Sequence, residues 1–217
     1  MKRESHLFAC HKFLEELGSQ ILICLAKVDF RNTPEIEILH NQLEDYVTTL
    51  TNHARWEKEF IFNKFFTKDE VLSLFGEHSE LEHSGEKIIG AIKVLLDLPH
   101  QSRSHKGKLL YLEFRKFYAA NLIHFYDEET TFLSLLQERA TDDEIRAIDK
   151  PIYQSMSDND IVEMLERLLP PTNIDEKKNI LDDLKSFNAF NFECALPNIK
   201  KLLTQKEAEE IFQNSDR

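Results

Sequence analysis

Apolar residues recur at every third or fourth position along most of the first 140 residues, which is the spacing of amphipathic helices. The pattern predicts one helix over residues 5–30 and a second over residues 34–66. Between them, Asn32-Thr33-Pro34 indicates a turn in which Thr33 caps the second helix and Pro34 takes its first position. No segment shows the two-residue period of a half-buried strand.

The same periodicity predicts two further long helices. Thr67 and Glu70 have the spacing of a capping box, so the third helix is expected to begin at Thr67 and to end near residue 96. Pro99 and several serines and histidines indicate a loop over residues 97–107, and the fourth helix is expected over residues 108–139. Four long helices joined by short loops favour antiparallel neighbours, so the expected fold class is all-α, an up-down-up-down four-helix bundle with additional C-terminal helices.

The pattern changes after residue 139, where helix starts and stops follow one another closely. Shorter helices are predicted from start signals at 141–144 and 157–160, a stop at Pro170-Pro171, and helical patterns at 175–187 and 197–212. We therefore expect two domains. The bundle covers residues 1–139, and residues 140–217 form a helical extension that packs on the bundle or on a partner subunit, for example in a homodimer.

The formal net charge of −12 argues against a nucleic-acid partner, whose phosphates need a basic surface, and against an anionic membrane surface. Cys10, Cys24 and Cys194 are widely separated and form no C-x-x-C pair, so neither a zinc ribbon nor a disulfide framework is predicted. The first residues are charged and amphipathic, unlike a signal sequence, and the longest apolar run, residues 21–26, is too short to cross a bilayer. A reducing cytoplasm is the expected location.

Two segments place a histidine four residues before a glutamate on the core-facing side of a predicted helix. They are His53 with Glu57 in the second helix and His124 with Glu128 in the fourth. Residues at i and i+4 share one helix face. An isolated pair of this kind is usually a solvated surface contact, but ionised glutamates inside a bundle are costly without a positive partner. Two such pairs therefore predict a metal centre between the helices.

The first and third predicted helices also carry core-facing histidines, His11 and His78. Alone, either would more often be a satisfied core histidine, but together with the two pairs they are candidate ligands. His83 follows His78 by five residues, which rotates it by about 140° in a regular helix. It would face solvent unless a local π-bulge turned it inward, and Glu82 is its nearer geometric competitor.

In this order and spacing, over residues 5–138, the motifs resemble the hemerythrin-like family, or HHE cation-binding domain. The matching segments are Cys10-His11-Lys12, His53-x-x-x-Glu57, the stretch from Glu77-His78 to His83, and His124-x-x-x-Glu128. The resemblance implies a four-helix bundle around a non-haem di-iron site. It also implies a set of terminal histidine ligands and bridging carboxylates, namely His11, His53, His78 and His124 with Glu57 and Glu128.

One departure from the family pattern concerns the third helix. Oxygen-carrying members have two histidines there spaced by four, whereas His83 is spaced by five from His78. If His83 is not a ligand, water or another carboxylate such as Glu82 would complete the coordination. Nitrogen and carboxylate ligands without thiolate favour iron over manganese or zinc.

The resemblance implies two iron ions, with an oxo or hydroxo bridge, that bind or sense dioxygen or nitric oxide, or that handle iron. Candidate walls of an apolar ligand pocket are Phe60, Ile88, Phe114 and Phe117. Asn121 lies one turn before His124 and is a candidate either for hydrogen bonding to a ligand or for helix packing.

Two other classes of function stay open. A di-iron enzyme that repairs nitrosative or oxidative damage would use the same ligands and would need access for reactants, but no substrate-pocket motif is evident and no catalytic residue is assigned. A metal-free interaction protein that docks through residues 140–217 leaves Glu57 and Glu128 unexplained. A metal-binding or sensing protein is therefore preferred to an enzyme.

Overall fold

The computed structural model describes residue 4 and residues 7–213, apart from the side chains of residues 73–75 and 213. Every regular element within that part of the chain is helical, so the all-α prediction is confirmed. The up-down-up-down bundle topology stays a prediction.

Six α-helices and two π turns make up the first two thirds of the described chain. They are α1 Phe8–Lys27, α2 Thr33–Glu57, a π turn Lys58–Phe62, α3 Asn63–Phe65, α4 Leu72–Asp97, α5 His100–Asp127, a second π turn Glu128–Phe132, and α6 Leu133–Arg139. Helix α2 begins after Asn32, one residue earlier than predicted, with Pro34 in its first turn.

The chain divides into two compact units. A central unit spans residues 14–136, and the other unit combines residues up to Phe13 with those from Gln137 onward. The sequence placed a boundary after residue 139 but did not predict that the first residues group with the C-terminal part. Helix α1 contributes to both units, because the division falls between Phe13 and Leu14.

The central unit is built around an apolar core supplied by its long helices. Helix α2 packs against α4, and α4 packs against α5. The core includes Leu39, Leu43, Ile92, Leu110 and Phe114. Helix α1 meets α5 where the Tyr118 hydroxyl donates to the Glu15 carbonyl at 2.9 Å. Gly18 permits this approach, since a Cβ there would lie 2.4 Å from the Tyr118 ring.

The predicted loop over residues 97–107 is wrong, because α5 already begins at His100. Pro99 is the N-cap residue of α5 rather than part of a longer loop. Arg103 is buried, and its guanidinium donates to the carbonyls of Leu96 and Leu98 at 2.8 Å each and to the Thr33 hydroxyl at 2.8 Å. These bonds satisfy carbonyls at the end of α4 and tie the early turns of α5 to the start of α2.

The third helix also begins later than predicted. The Thr67 amide and hydroxyl donate to the Glu70 carboxylate at 2.9 and 2.7 Å, so Glu70 does reach back as expected of a capping box. However, α4 begins only at Leu72, after a turn. The contact therefore stabilises the turn that precedes the helix.

The first π turn follows directly after Glu57, the second begins at Glu128, and each shifts the buried stripe by one residue. The regular helical spacing of His124, Glu128 and Phe132 predicts Leu135 as the next core position, but Leu135 is 41% exposed and Leu136 is fully buried. The physical reason is that a π turn holds one residue more than an α turn. Positions beyond it are displaced from the 3.6-residue period.

The second unit, called the C-terminal unit below, also contains the residues up to Phe13. Its C-terminal part is built of shorter helices, as the sequence predicted. They are α7 Asp142–Arg146, α8 Lys150–Ser155, α9 Asp158–Leu168, α10 Ile174–Phe187, α11 Ala189–Leu202 and α12 Gln205–Gln213. The predicted starts at Thr141 and Ser157 are confirmed as capping boxes. The predicted helix over residues 197–212 is instead two helices, since Pro197 lies inside α11 and a break before Gln205 separates α12.

Two buried or half-buried ion pairs connect segments of this unit. Lys177 of α10 donates to Glu207 of α12 at 2.6 Å, and Lys12 of α1 donates to Glu176 at 2.6 Å. The apolar core around them includes Ile161, Leu165, Leu184 and other side chains of the last four helices. Among the described residues, no helix is long and apolar enough to traverse a lipid bilayer.

Candidate metal centre

Three helices of the central unit bring five predicted ligands together. His53 and Glu57 lie at the C-terminal end of α2, His78 lies on α4, and His124 and Glu128 lie at the end of α5 and the start of the π turn that follows it. The i, i+4 spacing turns each histidine and its glutamate to the same side of their helix. The sequence predicted that these five side chains would form one cluster, and their mutual contacts are consistent with that prediction.

The contacts within the cluster are short. His53 Nε2 lies 3.3 Å from Glu57 Oε1, and His124 Nε2 lies 3.1 Å from Glu128 Oε1. His78 lies between the two acids, with its Nε2 atom 3.4 Å from Glu57 Oε2 and 3.3 Å from Glu128 Oε1. Two sets of ligand atoms, His53 with Glu57 and Glu128, and His78 with His124 and Glu128, each fall within 4.8 Å of one another.

The two carboxylates are completely buried, and the three imidazoles are nearly so. Glu57 and Glu128 are 0% exposed, and the side chain of His78, the most accessible of the three histidines, is 12% exposed. Taking a carboxylate out of water costs several kcal/mol unless positive charge and hydrogen bonds compensate. A bound cation would therefore strongly stabilise the two buried carboxylates.

His124 shows how the local field acts on an imidazole. Burial, the largest effect, lowers the pKa of His124, but hydrogen bonds and charge from Glu128, Glu77 and Glu57 together raise the pKa above its usual value. The carboxylates thus favour a positive charge at this position. A bound divalent cation would supply that charge directly.

Glu77 was not among the predicted site residues, yet it contacts one of them. Its Oε2 atom lies 3.1 Å from Nδ1 of His124. The other ring nitrogen, Nε2, is buried and lies 3.1 Å from Oε1 of Glu128. An imidazole that is held through one nitrogen by a carboxylate and directs the other into a polar cluster has the arrangement of a metal-ligating histidine.

Aromatic side chains cover the cluster. The Phe62 ring stacks on His78 with centroids 5.8 Å apart, and Phe125 meets the His53 ring edge-on at 6.2 Å. Trp56 also stacks on His53, with the two ring centroids 6.4 Å apart and the rings nearly parallel. This apolar cover lowers the local dielectric and strengthens electrostatic attraction inside the site.

The structure separates His83 from the five clustered side chains. The His83 side chain is 64% exposed, and its Nδ1 lies 3.7 Å from the exposed carboxylate of Glu86. Helix α4 is a regular α-helix through this position, so no π-bulge turns His83 inward. Its competitor Glu82 is also exposed, and it lines a cavity beside the cluster.

His11 is fully buried on the first turns of α1 and belongs to the C-terminal unit. Its assignment as a ligand stays a prediction from the sequence. The remaining histidines lie elsewhere: His40 contacts Glu44 at 3.2 Å, His100 bonds the Arg31 carbonyl at 2.7 Å, and His105 is exposed. His6 is outside the described residues.

The predicted pocket walls are only partly in place. Phe117 lines the cavity beside the cluster, but Phe114 and Ile88 belong to the apolar core of the unit, and Phe60 packs near Trp56. Asn121 is buried and also lines the cavity, and its amide nitrogen donates to the Phe117 carbonyl at 2.9 Å.

Sequence reasoning missed Glu77 and the two π turns. Glu77 is 46% exposed, so the buried periodicity of α4 gave no reason to select it. Its position immediately before His78 was the available signal. The π turns left no mark in the pattern, because apolar residues follow each glutamate on more than one face.

The donor atoms present fit a divalent transition metal. Three imidazole nitrogens and two carboxylates form a mixed set that suits iron, manganese or zinc, and no cysteine sulfur is among them. The buried histidine–glutamate group can therefore hold a metal ion. Comparison of the chain with protein-family models, curated proteins and solved structures gives no match.

Proposed function

We propose that this chain is a non-haem di-iron protein in which a hemerythrin-like four-helix bundle binds or senses a small diatomic ligand, dioxygen or nitric oxide. The observation that carries the proposal is the burial of Glu57 and Glu128 among three imidazoles drawn from three helices. A binding or sensing role is preferred because the order and spacing of these residues resemble those of hemerythrin-like domains.

Each residue has a distinct part in this proposal. His53, His78 and His124 would hold the iron through ring nitrogens, and Glu57 and Glu128 would hold it through carboxylate oxygens. Glu128 belongs to both sets of clustered atoms, so its carboxylate would serve both ions. Bound iron would supply an open coordination position for the diatomic ligand, and Phe62 and Phe125 would keep bulk water away.

Metal analysis of the full chain tests the proposal directly. The protein is reconstituted anaerobically with ferrous iron, passed over a desalting column and analysed for iron content. We expect two iron ions per chain, and an absorption change in the visible region on exposure to air or nitric oxide.

Matched variants of α4 make the test specific. His78→Ala is expected to lower the iron content, whereas His83→Ala, five residues away on the same helix and exposed, is expected to leave it unchanged. Iron content near zero in the wild type would overturn the proposal. Equal iron content in the wild type and in a His53→Ala/Glu57→Ala variant would overturn it as well.

A further inference from the structure

A cavity of about 420 Å³ opens beside the histidine–glutamate cluster. It lies within the central unit, between α2, α4 and α5, and the three clustered histidines form part of its wall. A water molecule occupies about 30 Å³ in the liquid, so the cavity is far larger than a diatomic ligand requires. Its volume lies in the range of sites that take small organic molecules.

The wall of the cavity combines an apolar body with a few polar groups. Leu50, Leu81 and Phe117 supply apolar surface, and the buried Asn121 supplies an amide. Since the Asn121 amide nitrogen donates to Phe117, the amide oxygen is the part that can accept a hydrogen bond from a ligand. A wall of this kind holds an apolar molecule and orients it through few polar contacts.

The charged residues of the cavity are mainly positive, in contrast with the chain as a whole. Arg55 and Lys58 line it from the end of α2, against one acid, Glu82. The Arg55 guanidinium donates to the side-chain oxygen of Asn52, a neutral group, at 2.9 Å. In a protein of net charge −12, two cations at one cavity favour an anionic ligand.

We propose that this cavity binds a small organic carboxylate, with its apolar body against Leu50, Leu81 and Phe117 and its carboxylate toward Arg55 and Lys58. The ligand would lie next to the imidazoles of the proposed metal centre, so this inference rests on the proposed function and extends it. The organic ligand, rather than the diatomic alone, is then what the site recognises.

Calorimetric titration of the full-length, anaerobically iron-loaded protein tests this inference with benzoate and with benzamide, its neutral analogue of nearly equal shape. We expect one benzoate to bind per chain and benzamide to bind more weakly. An Arg55→Gln/Lys58→Gln variant is expected to weaken benzoate binding about fivefold, as for two partly solvated ion pairs, and to leave benzamide unaffected. The matched control is Arg115→Gln/Lys116→Gln, two exposed cations of α5 outside the cavity.

A second variant removes the space instead of the charge. Leu81→Trp, or Leu50→Phe if the first variant folds poorly, is expected to weaken both compounds about tenfold or more, since apolar contacts in a pocket discriminate by at least that factor. Azide binding, followed by the visible spectrum, should persist in each variant because azide needs only the metal.

The outcomes separate the two proposals. Benzoate binding that is absent from an iron-loaded sample, or unchanged by both cavity-filling variants, would overturn the cavity assignment and leave the metal centre intact. Equal affinity for benzoate and benzamide would refute the anionic class. Failure of the protein to take up iron would overturn the proposed function, and this inference with it.

Discussion

The carboxylate of Glu77 lies 3.1 Å from Nδ1 of His124, while Nε2 of the same ring faces Glu128 at 3.1 Å. One imidazole is thus held from both sides by acids on two different helices. Contacts of this type fix the tautomer and the orientation of a metal-binding histidine. In the proposed metal centre, Glu77 would therefore be a positioning residue that acts through His124.

Replacement of Glu77 by glutamine is expected to weaken iron binding about tenfold to a hundredfold, the usual effect of removing such a contact. Competition with a chelator measures the affinity, and thermal unfolding of the metal-free protein measures stability separately. A purely structural role would lower the unfolding midpoint without changing the affinity. Glu80→Gln, exposed on the same helix, is the control and should change neither quantity.

Iron is expected to raise the stability of the folded protein. A ligand that binds only the folded state contributes RT ln(1 + [L]/Kd), about 2.7 kcal/mol at a hundredfold excess over Kd. Differential scanning calorimetry with and without ferrous iron measures this shift. Glu128→Gln should abolish the stabilisation and Glu86→Gln should keep it, whereas a wild-type protein insensitive to both iron and chelator would support the metal-free interaction hypothesis.

Two glycines in adjacent helices are expected to respond oppositely to alanine. A Cβ at Gly107 would lie 2.2 Å from the Phe30 ring, but at Gly90 it would meet nothing within 4 Å. Gly107→Ala should therefore lower the free energy of unfolding by about 1–3 kcal/mol through overpacking. Gly90→Ala should raise it by about 0.5–1 kcal/mol through helix propensity. Urea unfolding checks both, and equal effects would contradict the close approach of α5 to Phe30.

Arg103 stabilises the junction of three helices through its bonds to Leu96, Leu98 and Thr33. Arg103→Met should lower the free energy of unfolding by about 3 kcal/mol, since it removes charged hydrogen bonds and leaves carbonyls unsatisfied. Lys106→Met, exposed three residues later, is the matched control and should have little effect. Similar values for the two variants in urea unfolding would show that the buried guanidinium contributes nothing.

The Lys177–Glu207 pair predicts a specific acid sensitivity. The hydrogen bond from Lys177, with those from Thr204, lowers the pKa of Glu207 from 4.5 to about 2. A carboxylate with a lowered pKa stabilises the fold above its unfolded pKa, and this stability is lost as the pH falls from 4.5 toward 2.

Glu207→Gln should therefore lower the free energy of unfolding at pH 7 by about 1 kcal/mol, a value limited by solvent screening. The difference from the wild type should shrink as the pH falls through that range. Glu166→Gln, exposed on α9, is the control and should show no such pH-dependent difference. If NMR titration showed that Glu207 has its usual pKa, this explanation of the acid sensitivity would be refuted.

The helices and the ligand cluster could be predicted because both depend on local spacing. The pairs His53–Glu57 and His124–Glu128 have i, i+4 spacing in the sequence, and within each pair the two side chains are in contact in the structure. The start of α5 could not be predicted in this way, because it depends on the distant partners of Arg103. The position of Leu136 was missed for a different reason, since a π turn displaced the stripe after Glu128.

The contact between Trp56 and His53 makes Trp56 an intrinsic fluorescent probe of the candidate centre. Trp56 is the single tryptophan of the chain, and its indole lies nearly parallel to an imidazole of the candidate centre. The fluorescence of Trp56 should therefore change when an ion binds to the His53 imidazole. A paramagnetic ion should quench this fluorescence more than a closed-shell ion does. Occupancy can thus be followed on the native protein in real time without attaching a dye.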